Sequence, residues 1–154
     1  LEPEKAADLD DKSIAHEIAH WIGRGEIPGA VHLEKGCYRG QETIARVENL
    51  GRSPRLLTLL HLDGSVPELP ATGADITSGG RRVGRVGSII DDFELGPIAL
   101  GLIKRSALPT PEKAGSPAAE LLIGDCAVTV DEESLPTDEG VKLGRSAIDK
   151  LRGR

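Results

Sequence analysis

The spacing of hydrophobic and polar positions changes near residue 53. Before that point, apolar side chains recur at helical spacing between Gln41 and Leu50, and Gly51 follows where a helix-terminating glycine belongs. This pattern predicts a helix over Gln41–Leu50. A weaker amphipathic pattern indicates a short helix within residues 8–23, followed by a loop over 25–29 and a brief extended piece over 30–33.

Beyond residue 53, apolar positions form short runs separated by turn residues, which is typical of strands. Gly84 and Gly87 interrupt one run and predict bulges or sharp bends. Gly124 and Asp125 separate the last two runs and predict a hairpin. Together the runs predict a small antiparallel barrel or sandwich over residues 55–131. The predicted strands are 55–63, 82–90, 96–105, 120–123 and 126–130, with loops at 65–72 and 110–117.

We therefore expect an α+β fold in three parts: residues 1–52, a β-barrel over 53–131, and a charged tail over 132–154. The chain has only three aromatic residues, so its core must consist of Leu, Ile, Val and Ala. It also contains no Met, which favours a fragment of a longer protein. The first part does not look self-sufficient.

Charge and cysteine content narrow the class of protein. The net charge is −6, the basic residues are dispersed, and aromatic residues are too few for base stacking, so direct nucleic-acid binding is not expected. No apolar segment approaches the roughly 20 residues that span a bilayer, so no membrane partner is expected. The two cysteines lack a CxxC spacing and indicate a reducing cytoplasm. Cys126 alternates with apolar neighbours, which predicts a core position.

Chemistry-bearing residues are concentrated in one segment just before the predicted helix. Gly36 and Gly40 allow unusual backbone angles and the close approach of a ligand. Cys37 should lie in the turn before the helix, where the helix N–H groups, Lys35 and Arg39 would stabilise a thiolate. Such a thiolate could be a nucleophile, a redox sensor or a transient iron ligand. The full segment, here called the signature segment, reads Lys35-Gly36-Cys37-Tyr38-Arg39-Gly40-Gln41-Glu42.

The signature segment resembles the K-G-C-[FY]-x-G-Q-E motif of the YgfZ family at every defined position. Further resemblance lies at 13–17, 44–46, 83–88 and 97–101, so it extends over roughly residues 13 to 105. The last two stretches resemble strands of the C-terminal barrel that YgfZ proteins share with the glycine-cleavage T-protein. The T-protein version of the segment lacks the cysteine, so Cys37 distinguishes the two families.

This resemblance implies a tetrahydrofolate-binding protein that supports assembly or repair of iron–sulfur enzymes, including one that modifies tRNA. Residues 1–52 would then be the C-terminal part of a folate-binding domain. Cys37 would be the reactive group, and folate and iron–sulfur client proteins would be the partners. No resident metal is expected, and much of the folate pocket would come from residues outside this chain. The proposed cofactor-binding residues are Lys35, Gly36, Tyr38, Arg39, Gly40, Gln41 and Glu42.

Three alternatives remain open on sequence grounds. A T-protein-type aminomethyltransferase would need an acidic residue upstream of Leu1. His16 to His20 match H-E-x-x-H, the zinc-binding helix of metalloproteases, with Glu42 as a distant third ligand, whereas Glu26 stands where a metzincin has its third histidine. A pure interaction module would use the barrel to dock a client protein. The acidic residues around position 92 match no calcium-loop spacing and are interpreted as a solvated turn.

Overall fold

The computed structural model describes residues 7–109 and 120–136, which fall into two units. One unit comprises residues 14–53, and the other, the barrel unit, comprises 7–13, 54–109 and 120–135. No helix in these described stretches combines the length and apolar character needed to cross a bilayer. The predicted 110–117 loop and the tail beyond residue 136 lie outside the described residues.

The unit of residues 14–53 consists of short elements followed by one helix. Two 3-10 turns, Ala15–Glu17 and Ala19–Trp21, lead into strand β1 (Ile22–Gly23). β1 pairs in parallel with β2 (Val31–His32), which confirms the brief extended piece predicted there. Helix α1 spans Gln41–Leu50, as predicted.

The helix predicted within residues 8–23 is wrong. Ile14, before the first 3-10 turn, and Ile18, between the two turns, have extended backbone angles. Local polar groups explain the interruption, because side chains here bind the backbone groups that a helix would use. The Glu17 carboxylate accepts the Ile14 N–H at 3.3 Å, and the Asp10 N–H donates to the Ser13 hydroxyl at 2.9 Å.

Helix α1 ends as its sequence predicts. Gly51 has a φ of 88°, in the left-handed region, and its N–H donates to the carbonyls of Val47 and Glu48. Ile44 is the buried side chain of the helix, whereas Leu50 is exposed. The amphipathic pattern therefore orients one apolar face of α1 inwards.

The other unit is built around a closed barrel of six antiparallel strands, which confirms the barrel predicted from sequence. Around the barrel the order is β3-β6-β5-β4-β7-β8, and β8 pairs with β3 to close it. Strand β4, which is short and has only one apolar residue, Ile76, was not predicted. The strands are β3 (Arg55–Leu62), β4 (Asp75–Ser78), β5 (Arg81–Asp92), β6 (Gly96–Lys104), β7 (Leu121–Ile123) and β8 (Cys126–Val130).

Strand alternation builds the barrel interior. Along β3 every second side chain is buried, and Leu60 is fully buried. On β6, Ala99 and Ile103 join this core, and Gly101 lies between them against Leu60. Cys126 is also buried in the cluster, as predicted. A core assembled almost entirely from aliphatic side chains thus compensates for the scarcity of aromatic residues.

Both glycines of β5 coincide with irregular pairing, as predicted. Val83 has no partner in the β4 register beside Gly84, and Gly87 and Ser88 together face a single residue of β6. A Cβ at Gly84 would lie 2.5 Å from the Leu102 carbonyl oxygen, so only glycine fits there. These bulges provide the bends that close a small barrel.

The bulge at Gly87 receives the N-terminal strap, defined as residues 7–13. The bulge frees the Ser88 N–H, which donates to Asp8 Oδ1 at 2.6 Å. Asp8 is buried, and a Cβ at Gly87 would collide with its carboxylate. The Arg85 guanidinium donates to two main-chain carbonyls of the strap, at 2.7 and 2.9 Å. The strap is therefore fixed to β5 by polar contacts.

A second anchor of the strap is expected to weaken in acid. Arg55 donates two hydrogen bonds to the Asp10 carboxylate, at 2.6 and 3.0 Å, and these hold the pKa of Asp10 well below its ordinary value. Because the folded-state pKa is depressed, the stabilisation is present above the unfolded pKa of about 3.9 and fades as pH falls towards the folded value. Asp10→Asn should lower the free energy of unfolding by about 1–2 kcal/mol at neutral pH.

Urea unfolding at neutral pH and near pH 3 measures this effect, with Asp11→Asn as an exposed neighbouring control. The difference between wild type and Asp10→Asn should shrink at the lower pH. An equal difference at both pH values would contradict the assignment.

Candidate functional site

The signature segment forms an exposed loop that enters helix α1. Of its eight residues only Tyr38 is half-buried, and the rest are exposed. The Cys37 thiol is free and exposed, in contrast to the buried Cys126. The sulfur is therefore accessible to a ligand or a reagent at the start of the helix.

Glycine conformation matters at one end of the segment. Gly40 caps the N-terminus of α1 with a φ of 84°, in the left-handed region that disfavours other residues. Gly36 is not among the glycines with positive φ, and a Cβ there would meet nothing within 4 Å. The expectation of unusual backbone angles therefore holds for Gly40 but not for Gly36.

Contacts within the segment fix the shape of the loop. The Tyr38 N–H donates to Gln41 Oε1 at 3.1 Å, and the Gln41 N–H returns a bond to the Tyr38 carbonyl at 3.3 Å. The Lys35 ammonium lies 4.8 Å from the centroid of the Tyr38 ring, a cation–π distance. Gln41 is thus a positioning residue, and Lys35 covers one face of the tyrosine ring.

Three side chains of the segment remain available to an incoming molecule. Within the described residues, Cys37, Arg39 and Glu42 are exposed and have no side-chain hydrogen bond or ion pair. They offer a thiol, a cation and a carboxylate within six consecutive residues. Glu42 lies in the first turn of α1, where a negative charge is favoured by the helix dipole. This set can bind an anionic group, accept a hydrogen bond and ligate a soft metal or attack an electrophile.

A polar network in the same unit was not foreseen from the sequence. Glu48 of α1 accepts from Arg24 at 2.9 Å and through a second, shorter bond, and it lies 3.1 Å from His16 Nε2. The hydrogen bonds from Arg24 lower the pKa of Glu48 most, and the contact with His16 lowers it further. Sequence spacing did not indicate these contacts, because Arg24 and His16 lie 24 and 32 residues before Glu48.

This network and the local backbone argue against the zinc alternative. His16 and His20 lie in two separate 3-10 turns, not on one α-helix that would align their imidazoles. His16 instead contacts Glu48. Over residues 7–109 and 120–136, no group of three or more His, Cys, Asp or Glu side chains is arranged to hold a metal ion.

Comparison with known proteins agrees with the fold. A family model described as the CAF17 C-terminal beta-barrel domain matches residues 55–136. A chloroplastic protein of Arabidopsis thaliana, named as a candidate transferase, is 39% identical over 79 residues, which cover 51% of this chain and 17% of that protein. The tRNA-modifying protein YgfZ of Escherichia coli strain SMS-3-5 is 44% identical over 48 residues, covering 31% of this chain and 14% of that protein.

These matches span less than one fifth of each relative, so the chain corresponds to a limited part of such proteins. The family model covers more than half of the chain, and its barrel is the one that the structure contains. The chain therefore belongs to the YgfZ/CAF17 family and carries its C-terminal β-barrel.

Proposed function

We propose that this chain is part of a tetrahydrofolate-binding factor that supports the assembly or repair of iron–sulfur proteins. The observation that carries the proposal is the free, exposed thiol of Cys37 in a signature segment held at the start of α1. A solvent-accessible thiolate is a ligand for iron and a nucleophile, whereas a buried structural cysteine is inert.

In this proposal the residues of the signature segment have different roles. Cys37 is the reactive or ligating group, and Arg39 attracts the carboxylates of folate. Glu42 accepts hydrogen bonds from the N–H groups of the pterin ring. Tyr38 offers its aromatic ring for stacking, and Gln41 holds the loop through its bond to Tyr38.

Lys35 and Gly40 complete the proposed pocket. Lys35 adds positive charge beside the tyrosine ring, which favours an anionic ligand. Gly40 permits the backbone turn that joins the loop to α1, and Gly36 leaves open space beside the cysteine. In this proposal, sequence outside this chain completes the walls around folate, because both relatives described above are longer than this chain.

The relatives support a specific client class. Escherichia coli members of the family are named tRNA-modifying proteins. In the proposed role, this chain acts on an iron–sulfur enzyme that modifies tRNA and makes no direct contact with nucleic acid. Two unpaired cysteines suit a reducing compartment, and we place the protein in the cytoplasm within this proposal.

Complementation tests the proposed role. The native polypeptide that contains this chain is expressed in a bacterial strain that lacks its own YgfZ protein. Iron–sulfur-dependent tRNA modification, measured by mass spectrometry of tRNA nucleosides, should rise above that of the empty vector. Expression of folded protein without any rise would refute the role.

A transferase is the second candidate, favoured by the name of the Arabidopsis thaliana relative. It predicts folate-dependent release of ammonia from an aminomethylated carrier protein. Ammonia release that survives Cys37→Ala would favour this candidate, since the T-protein segment lacks the cysteine.

A further inference from the structure

The turn between β5 and β6 exposes an unusual amount of apolar surface. Three large apolar side chains are exposed within the six residues 90–95, here called the tip. Phe93, the only phenylalanine of the chain, is fully exposed, and Leu95 is 55% exposed. An exposed cluster of this kind marks an interaction site more often than scattered single residues do.

The tip is held in one shape. Strand pairing continues to Asp92 and Gly96, so only three residues form the turn between them. Asp92 Oδ1 accepts the N–H groups of Glu94 and Leu95, both at 3.0 Å. Gly96 closes the turn with a φ of 71°. The turn thus presents Phe93 on an ordered scaffold, which reduces the entropy lost on binding.

The charge of the β5–β6 hairpin near the tip has a single sign. Asp91, Asp92 and Glu94 flank Phe93 in the sequence, and no Lys, Arg or His occurs between Arg85 and Lys104. In the part of the chain that the structure describes, the side chains of Asp91 and Glu94 form no hydrogen bond or ion pair. Uncompensated carboxylates beside an apolar anchor suit a surface of opposite charge.

We propose that the tip is a docking knob for another protein whose apolar pocket accepts Phe93 and is bordered by Lys or Arg. A second copy of this chain is a poor occupant, because two acidic tips would repel and each chain already carries a net charge of −6. Anionic lipid surfaces would repel the same carboxylates. The proposal stands on the barrel unit alone and does not depend on Cys37.

Site-specific crosslinking followed by affinity measurement tests this proposal. A photoreactive phenylalanine analogue is placed at position 93 in cells, and at Leu69 as a control, since Leu69 is an exposed leucine of the same unit. Position 93, but not 69, should yield an adduct with a protein, and the crosslinked peptide should contain apolar residues flanked by Lys or Arg. That protein is then purified and its Kd for the full chain is measured.

Kd measurements on variants separate the contribution of the aromatic anchor from that of the acidic side chains. Phe93→Ser should weaken binding roughly thirtyfold, as expected for an aromatic anchor. The double variant Asp91→Asn, Glu94→Gln should weaken binding less and reduce its dependence on salt. All three side chains are exposed, so circular dichroism should be unchanged. Equal adducts at both positions, adducts with a second copy or with lipid, or an unchanged Kd for Phe93→Ser would each overturn the proposal.

Discussion

Cys37→Ala is expected to reduce complementation of the iron–sulfur defect to the level of the empty vector while the fold remains intact. The thiol is exposed and belongs to no packed cluster of the described residues. Truncation of such a surface side chain usually changes stability by less than about 0.5 kcal/mol. Lost activity with an unchanged melting temperature would therefore reflect lost chemistry and not unfolding.

Cys126→Ala is the matched control for this experiment. Cys126 lies in the barrel core with its Sγ 3.5 Å from the Ala127 carbonyl oxygen, so the change should cost about 1 kcal/mol of stability. It should leave complementation intact because the buried sulfur meets no ligand. Full complementation by Cys37→Ala would contradict the assigned role, whatever the control shows.

Gly101→Ala is expected to destabilise the barrel unit by about 2–3 kcal/mol, the usual cost of overpacking a filled core. An added Cβ would lie 2.5 Å from Leu60 Cδ1 and 3.0 Å from Ile76 Cδ1, and both of these side chains are fully buried. Leu60→Ala alone should cost about 2–5 kcal/mol through the cavity that it leaves. The double variant should be destabilised by less than the sum, because the new methyl group occupies part of that cavity.

Gly84→Ala is the control for this double-mutant cycle. Its Cβ would meet the Leu102 carbonyl oxygen at 2.5 Å, and truncation of Leu60 cannot move a main-chain atom of β6. Urea unfolding of the single and double variants measures the coupling. Strict additivity for Gly101 and Leu60 would show that the two positions do not share space in the barrel interior.

Local sequence patterns predicted most strands of the barrel but did not show how the barrel closes. The runs that became β3, β5 and β6 were predicted as strands from their length and flanking turn residues, because period alone does not separate a strand from a buried helix over 55–63. Strand β4 has only four residues, and its pairing with β5 and β7 determines its conformation. The strap was missed because its anchor, Asp8, bonds to a backbone group 80 residues away.

The sequence motif identified the candidate site, but the sequence did not predict the geometry of the site. The position of Cys37 in an exposed loop before α1 follows from the glycine and helix signals. The reciprocal bonds of Tyr38 and Gln41 depend on the exact turn and had no pattern of their own. The tip was interpreted as a solvated acidic turn, because the sequence placed Phe93 between two strands but did not reveal that its side chain is fully exposed.

Alkylation tests most directly whether folate binds against the sulfur of Cys37, on which the proposed function depends. Iodoacetamide is added to the native polypeptide, and modification of each cysteine is followed by mass spectrometry with and without saturating tetrahydrofolate. Cys37 should be modified readily and Cys126 only after unfolding, and tetrahydrofolate should slow the reaction at Cys37. A rate at Cys37 that tetrahydrofolate leaves unchanged would contradict the account.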